Sequence, residues 1–135
     1  MDRVKKNDFD FGTFKRVAEK YKNNLIFFMN GHSYPVIKNW LKYYYANYVS
    51  KSIIVSSASY ESIFSKSFYR LHTDNYFIFF YKIIKYFFMF YPFPNPHFRT
   101  TNFLILGNDL LKYKYLENVK NKERAWAIES GKNSI

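Results

Sequence analysis

Two runs of aromatic and β-branched residues, on either side of a proline-rich connector, dominate the hydrophobic pattern of the chain. The runs cover residues 83–91 and 98–106, and both have the composition of strands. The connector contains three prolines, which cannot donate to a sheet ladder, so it should stand apart from any sheet. The pattern predicts a strand pair with a long projecting loop over residues 92–99. An ordinary strand pair with a proline-rich turn fits the same residues.

The remaining pattern predicts alternating helices and strands on both sides of this hairpin. Residues 76–91 are ambiguous, because their length favours a helix and their composition favours a strand; we assign the second half, from residue 83, to the strand. The first predicted helix is capped by Asp10 or Thr13 and runs to about residue 21. The other predicted elements are helices over 35–50, 60–71 and 108–121, and strands over 25–29, 52–55 and 125–129.

From residue 52 the predicted order is strand, helix, strand, strand, helix, strand. This is the order of an α+β, ferredoxin-like fold, a split βαββαβ antiparallel sheet backed by two helices. Residues 51–135 would form this domain, which we interpret as RNA-binding, and residues 1–50 would be a mostly helical N-terminal extension. The fold hosts many functions, so it does not decide this one.

The charge of the chain indicates a polyanionic partner. Formal net charge is +11, which favours nucleic acid first and an anionic membrane second. The chain has no cysteine, which excludes disulfides and thiolate chemistry. Aromatic residues make up 24% of the chain, but codons rich in A and T would favour the same composition, so this excess is not evidence for base stacking.

No targeting or membrane-spanning segment is evident. The N-terminus lacks the apolar core of a signal peptide, and Asp2, Asp8 and Asp10 make it too acidic for a typical mitochondrial presequence. The best candidate for a transmembrane helix, residues 76–91, is shorter than the roughly 20 apolar residues required. It also contains Lys82 and Lys85.

The sequence shows no catalytic constellation and implies no cofactor. His32, His72 and His97 are far apart, and with four glycines the chain has no glycine-rich phosphate loop. What remains is basic surface in and after the hairpin, which would contact RNA phosphates, although such charge is often only a solvated face. The candidate RNA-binding residues are Lys82, Lys85, Pro92, Pro94, His97, Arg99, Lys112, Lys114, Lys120, Lys122 and Arg124.

Four short segments, taken in order, resemble small-subunit ribosomal protein ten in an organellar form. They are KSIIVSSASY at 51–60, PFP at 92–94, RTTNFLIL at 99–106 and KYKYLE at 112–117. The resemblance covers about residues 51–130 and implies a βαββαβ fold whose long loop enters rRNA among neighbouring ribosomal proteins. Gly107-Asn108-Asp109 stands here in place of the Ser-Pro-His step of that family.

We therefore expect a non-enzymatic structural constituent of the small subunit of a mitochondrial ribosome, bound to rRNA and neighbouring ribosomal proteins in the matrix. If it is organelle-encoded, it needs no presequence. The alternative is an accessory subunit of an organellar membrane complex, respiratory or ATP synthase, with residues 76–91 as an interfacial aromatic helix.

Overall fold

A computed structural model describes residues 9–70, 75–113, 119 and 121–132. Within these residues the chain is α+β, with helices around a small antiparallel sheet. Two of the candidate RNA-binding residues, Lys114 and Lys120, lie outside the described residues. In chain order the elements are α1 (Phe9–Lys20), β1 (Leu25–Met29), α2 (Trp40–Asn47), β2 (Ile54–Val55), β3 (Ala58–Ser59), α3 (Ile63–Ser67), a 3-10 turn (Phe68–Arg70), α4 (Tyr76–Met89), β4 (His97–Phe98), β5 (Asn102–Leu106), α5 (Gly107–Leu111) and α6 (Lys122–Ser130).

The main sheet has the order β1-β5-β2, with both pairings antiparallel. Its central strand, β5, is buried at three successive residues, Phe103, Leu104 and Ile105, so both faces of the strand are covered. A continuous apolar run is what such a strand requires. Leu25 lies opposite Leu106 in the register, so a strand from the predicted N-terminal extension is part of the same sheet.

The hydrophobic core lies between α1 and one face of this sheet. Phe11, Phe14 and Ala18 are buried on α1, at the spacing that places them on one side of a helix. The ring of Phe14 lies 4.7 Å from that of Phe28 on β1 and 5.2 Å from that of Phe103 on β5. These aromatic contacts fix α1 across the two longest strands.

Several predicted elements are confirmed, some in shortened form. The strand over 25–29 is found as predicted, and the first helix is found too, beginning at Phe9, before both predicted capping residues, and ending at Lys20. The second helix begins at Trp40 rather than at residue 35. The strand over 52–55 is reduced to two residues, and the helices expected over 60–71 and 108–121 are short where the structure describes them.

The strand prediction for residues 83–91 is wrong, because α4 is one continuous helix to Met89. The Asn75 side chain accepts a hydrogen bond from the backbone N–H of Phe77 at 3.0 Å and caps the first turn. Once a helix is nucleated, each further residue adds a backbone hydrogen bond, and this outweighs the modest strand preference of aromatic residues. The predicted hairpin is therefore absent, and β5 pairs with β1 and β2 instead.

The final strand prediction, over residues 125–129, is also wrong. These residues lie within α6, where the Asn121 side chain accepts a hydrogen bond from the backbone N–H of Arg124 at 2.8 Å. The alternation of apolar and polar residues is too short to outweigh a capped helix of nine residues. No described helix has the length and apolar character needed to cross a bilayer.

Candidate nucleic-acid interface

The proline-rich connector is held against the body of the protein, so the expectation of a projecting loop is wrong. Asn95, in its middle, is 4% exposed, and its side-chain amide donates to the carbonyl of Ser130 at 2.7 Å. Its backbone N–H donates to the carbonyl of Tyr60 at 3.0 Å. The backbone N–H of Phe93 donates to the hydroxyl of Ser65 at 2.9 Å. Hydrogen-bond partners within the chain thus hold a segment that prolines keep out of the main sheet.

The connector ends in β4, which forms a two-stranded sheet with β3. In this register Ser59 lies opposite His97. The backbone N–H of Arg99 donates to the carbonyl of Ser57 at 3.1 Å and extends the pairing by one bond. The small sheet therefore places His97 and Arg99, two of the predicted site residues, beside the start of α3.

These residues line a polar cleft of about 350 Å³ between the β3–β4 pair, α3 and α6. We call it the polar cleft. Its chemistry comes from Glu61, Lys66, His97, Arg99, Trp126 and Glu129. Three segments that are distant in the sequence contribute to it, and the indole of Trp126 provides its aromatic wall.

The charges in the polar cleft are arranged around two carboxylates. Lys66 Nζ lies 2.8 Å from Glu61 Oε2, and Arg99 Nη2 lies 3.7 Å from the same oxygen. The hydrogen bond from Lys66 lowers the pKa of Glu61 below its ordinary value. The second carboxylate, Glu129, accepts hydrogen bonds from neutral groups instead. Its Oε1 accepts from the backbone N–H of Thr100 at 2.9 Å and from the Thr100 hydroxyl at 3.1 Å.

Both cations remain accessible. The side chains of Lys66 and Arg99 are 58% and 46% exposed. Lys122, on the first turn of α6, lies 5.2 Å from the centre of the Trp126 ring, so a third cation stands beside the same aromatic wall. The His97 Nδ1 lies 2.8 Å from the carbonyl oxygen of Asn95, which orients the imidazole at the cleft wall.

The two lysines of α4 are half-buried, and each contacts other parts of the protein. Lys85 forms an ion pair with Glu123 of α6, and the Tyr86 hydroxyl donates to the other oxygen of that carboxylate at 3.0 Å. The hydrogen bond from Lys85 lowers the pKa of Glu123, and in return the pKa of Lys85 is raised. Lys82 lines an apolar cavity of about 170 Å³ with Tyr86 and Trp126. Lys85 is thus a structural tie between two helices.

The other predicted site residues are not gathered into the polar cleft. Pro92 and Pro94 are exposed on the connector, and Arg124 is exposed on α6. Lys112 lies at the end of α5, where its ammonium contacts Asp109 Oδ1 at 2.6 Å. Of the predicted site residues, His97 and Arg99 therefore line the same cleft. Lys122 contacts Trp126, which lines that cleft too.

The sequence reasoning missed Glu61, Lys66 and Trp126. Trp126 was assigned to a strand, whereas the Lys122–Trp126 spacing of four residues is typical of neighbours on a helix. The helix cap at Asn121 was the signal that could have revealed this. Glu61 and Lys66 had no such signal, because only the β3–β4 pairing brings them to Arg99.

Among the described residues, no three His, Asp or Glu side chains converge as a metal site. Comparisons of the chain with protein-family models, with curated proteins and with solved structures each returned no match.

Proposed function

We propose that this chain is a non-enzymatic, RNA-associated structural protein of the small subunit of a mitochondrial ribosome. Its partners would be rRNA and neighbouring ribosomal proteins. The observation on which the proposal rests is the polar cleft, where Trp126 stands beside Lys66, Arg99 and Lys122 on a chain of net charge +11.

This arrangement fits an unpaired nucleotide. Single-stranded RNA is held by stacking of its bases on aromatic side chains and by cations along its phosphates. The Trp126 indole would stack on a base, and Arg99 and Lys66 would exchange part of their contact with Glu61 for a phosphate. Arg99 is the better placed of the two, because its 3.7 Å contact with Glu61 is long and its guanidinium is half exposed.

The proposal replaces a projecting loop with a surface cleft as the point of contact. Pro92 and Pro94, exposed on the connector, stay predicted contacts, and Lys122 would neutralise a neighbouring phosphate. Lys112, Lys114, Lys120 and Arg124 stay predicted phosphate contacts.

The ferredoxin-like arrangement belongs to this proposal as a prediction. The order of β2, α3 and β5 along the chain and the antiparallel pairing of β2 with β5 support it. The βαββαβ order also requires strands over residues 83–91 and 125–129, and most of these residues lie in α4 and α6. Location in the mitochondrial matrix is likewise a prediction that follows from the ribosomal assignment.

The experiment is an RNA-binding titration with a matched charge control. The full chain would be titrated against a fluorescently labelled single-stranded RNA of about 12 nucleotides, with anisotropy recorded over a range of salt concentrations. Arg99→Gln should weaken binding and reduce the salt slope by about one unit, because one phosphate contact is lost. Lys42→Gln on α2 removes the same charge outside the cleft and should leave both quantities near those of the unaltered protein.

The ribosomal part of the proposal needs the particle itself. A tagged chain expressed in mitochondria should sediment with small-subunit rRNA after a high-salt wash, and Arg99→Gln should reduce its share in that fraction. If Arg99→Gln and Lys42→Gln have equal effects on RNA binding, the cleft is not the contact. If RNA binds but the chain never sediments with the particle, the ribosomal assignment fails and RNA binding stands.

A further inference from the structure

The solvent-facing side of α4 is made entirely of aromatic and aliphatic side chains. At about 100° per residue, seven exposed residues fall within one arc of roughly 140°, turned away from the buried Phe79 and Tyr86. No charged residue lies in this arc. We call it the outer face of α4; its members are Tyr76, Phe77, Phe80, Tyr81, Ile84, Phe87 and Phe88.

The outer face is too large to be left in water. Phe77 is 87% exposed, and no member is less than half exposed. With roughly 200 Å² for each such side chain, the exposed area is about 900 Å². The largest apolar patch on a typical soluble monomer is about 300–600 Å² and is often functional. The outer face is therefore a docking surface.

The charge around this surface indicates what covers it. The ammonium of Lys132 lies 4.9 Å from the centre of the Phe87 ring and 5.7 Å from that of Tyr91, so a cation borders the C-terminal end of the outer face. The whole chain carries a net charge of +11. A partner that is apolar in depth and anionic at its surface satisfies both properties, and an anionic lipid bilayer is such a partner.

The dimensions of α4 agree with this partner. Its 14 residues span about 21 Å, which suits a helix lying in the plane of the headgroups. Phenylalanine rings would enter the acyl boundary, while the hydroxyls of Tyr76 and Tyr81 would stay at the level of the headgroups.

Two other partners fit less well. Within the outer face itself RNA would find only tyrosine hydroxyls as donors, since Lys85 and Lys132 lie at its borders, so most of the phosphates across the face would go unpaired. A second copy of the chain would bring together two bodies of charge +11, whose repulsion opposes self-association. We propose that α4 is a membrane-surface helix whose outer face enters the headgroup region of an anionic bilayer. This inference does not depend on the proposed RNA function.

The test uses the absence of cysteine from the chain, since one introduced cysteine gives a unique labelling position. Phe88→Cys on the outer face, labelled with an environment-sensitive nitrobenzoxadiazole dye, would be mixed with phosphatidylcholine vesicles containing about 30% phosphatidylglycerol. Its emission should rise and shift to shorter wavelength, and the response should be weaker with phosphatidylcholine alone. Tyr69→Cys, at a tyrosine that is 84% exposed outside α4, is the matched control and should change little.

Vesicle flotation of unlabelled protein gives a second measurement. The double variant Phe77→Ser/Phe80→Ser should bind the anionic vesicles at least about tenfold less, while Tyr34→Ser/Tyr69→Ser should bind as the unaltered chain does. Far-ultraviolet circular dichroism would confirm that both variants are folded. Equal binding by the two double variants would overturn the proposal. So would a Phe88→Cys label that responds to protein concentration or to RNA but not to vesicles.

Discussion

The ion pair between Lys85 of α4 and Glu123 of α6 leads to a prediction about stability, and the structure gives both its size and its pH dependence. Glu123→Gln removes the ion pair with Lys85 and the charge that strengthens the hydrogen bond from the Tyr86 hydroxyl. The Lys85 and Glu123 side chains are 32% and 30% exposed, so solvent screens the pair only partly. An ion pair of this kind contributes about 1 kcal/mol, and a hydrogen bond to a charged acceptor contributes somewhat more.

We expect Glu123→Gln to lower the free energy of unfolding by about 1–2 kcal/mol, because the introduced amide still accepts one bond. For a chain of this size the melting temperature should fall by about 3–6 °C. Urea unfolding followed by circular dichroism at pH 7 measures the loss. Glu61→Gln removes a carboxylate from more exposed ion pairs, which solvent screens, and should change stability much less than Glu123→Gln does.

The pH dependence distinguishes this reasoning from a simple packing defect. The pKa of Glu123 is lowered in the folded protein, so its contribution is present above the ordinary value of 4.5 and is lost as the pH falls below it. The pKa of Lys85 is raised, so its contribution is present below the ordinary value of 10.5 and is lost as the pH rises beyond it. The stability difference between Glu123→Gln and the unaltered chain should therefore be constant near neutral pH and shrink in acid. A difference that stays unchanged from pH 7 to pH 3 would refute the argument.

Three further predictions concern packing and capping. Leu104→Ala should cost about 2–5 kcal/mol in urea unfolding, because this central-strand side chain is fully buried and truncation leaves a cavity. Gly107→Ala should destabilise the protein by about 1–3 kcal/mol, since its new Cβ would lie 2.5 Å from the carbonyl oxygen of Tyr21. Gly31→Ala, where nothing lies within 4 Å, is the matched control and should be near neutral, and equal losses would contradict the steric argument. Ser62→Ala should lower the melting temperature by several degrees, because its hydroxyl caps α3 and donates to the loop after α4; an unchanged transition would argue against that link.

Local patterns predicted those elements whose signals lie within a few residues. The strand LIFFM is bounded by Asn24 and by Asn30-Gly31, and the structure places it at the predicted residues. The apolar residues of α1 recur at helical spacing, and that helix is also found. In both cases the residues that end the element stand beside it in the sequence, so no distant contact is needed to place it.

The errors arose where two local signals disagreed. In residues 76–91 the aromatic composition favoured a strand and the length favoured a helix, and the structure shows in addition that Asn75 caps that helix. The strand prediction for residues 83–91 rested on composition, whereas the helix continues to Met89. At residues 125–129 a short alternation predicted a strand, and the prediction assigned Asn121, which caps α6 in the structure, only to the end of the preceding helix. Capping residues were the more reliable signal at both places.

The polar cleft could not have been assembled from the sequence. His97 and Arg99 were candidates individually, because both lie near the prolines of the connector. Their neighbours Lys66 and Trp126 come from α3 and α6, and only the tertiary packing of those helices against the β3–β4 pair brings them together. The exposure of the outer face of α4 was equally out of reach, since the sequence does not show which side of a uniformly apolar helix is covered.

The position of β5 in the middle of the main sheet has a consequence for how the chain is made. Leu25 pairs with Leu106, so β1 cannot join the sheet until residue 106 has been synthesised and has left the ribosome. Until then β1, α1 and the aromatic α4 are all exposed to misassociation, and pairing between such distant segments is intrinsically slow. Folding of this protein should therefore be slow and largely post-synthetic, limited by the pairing of β1 with β5.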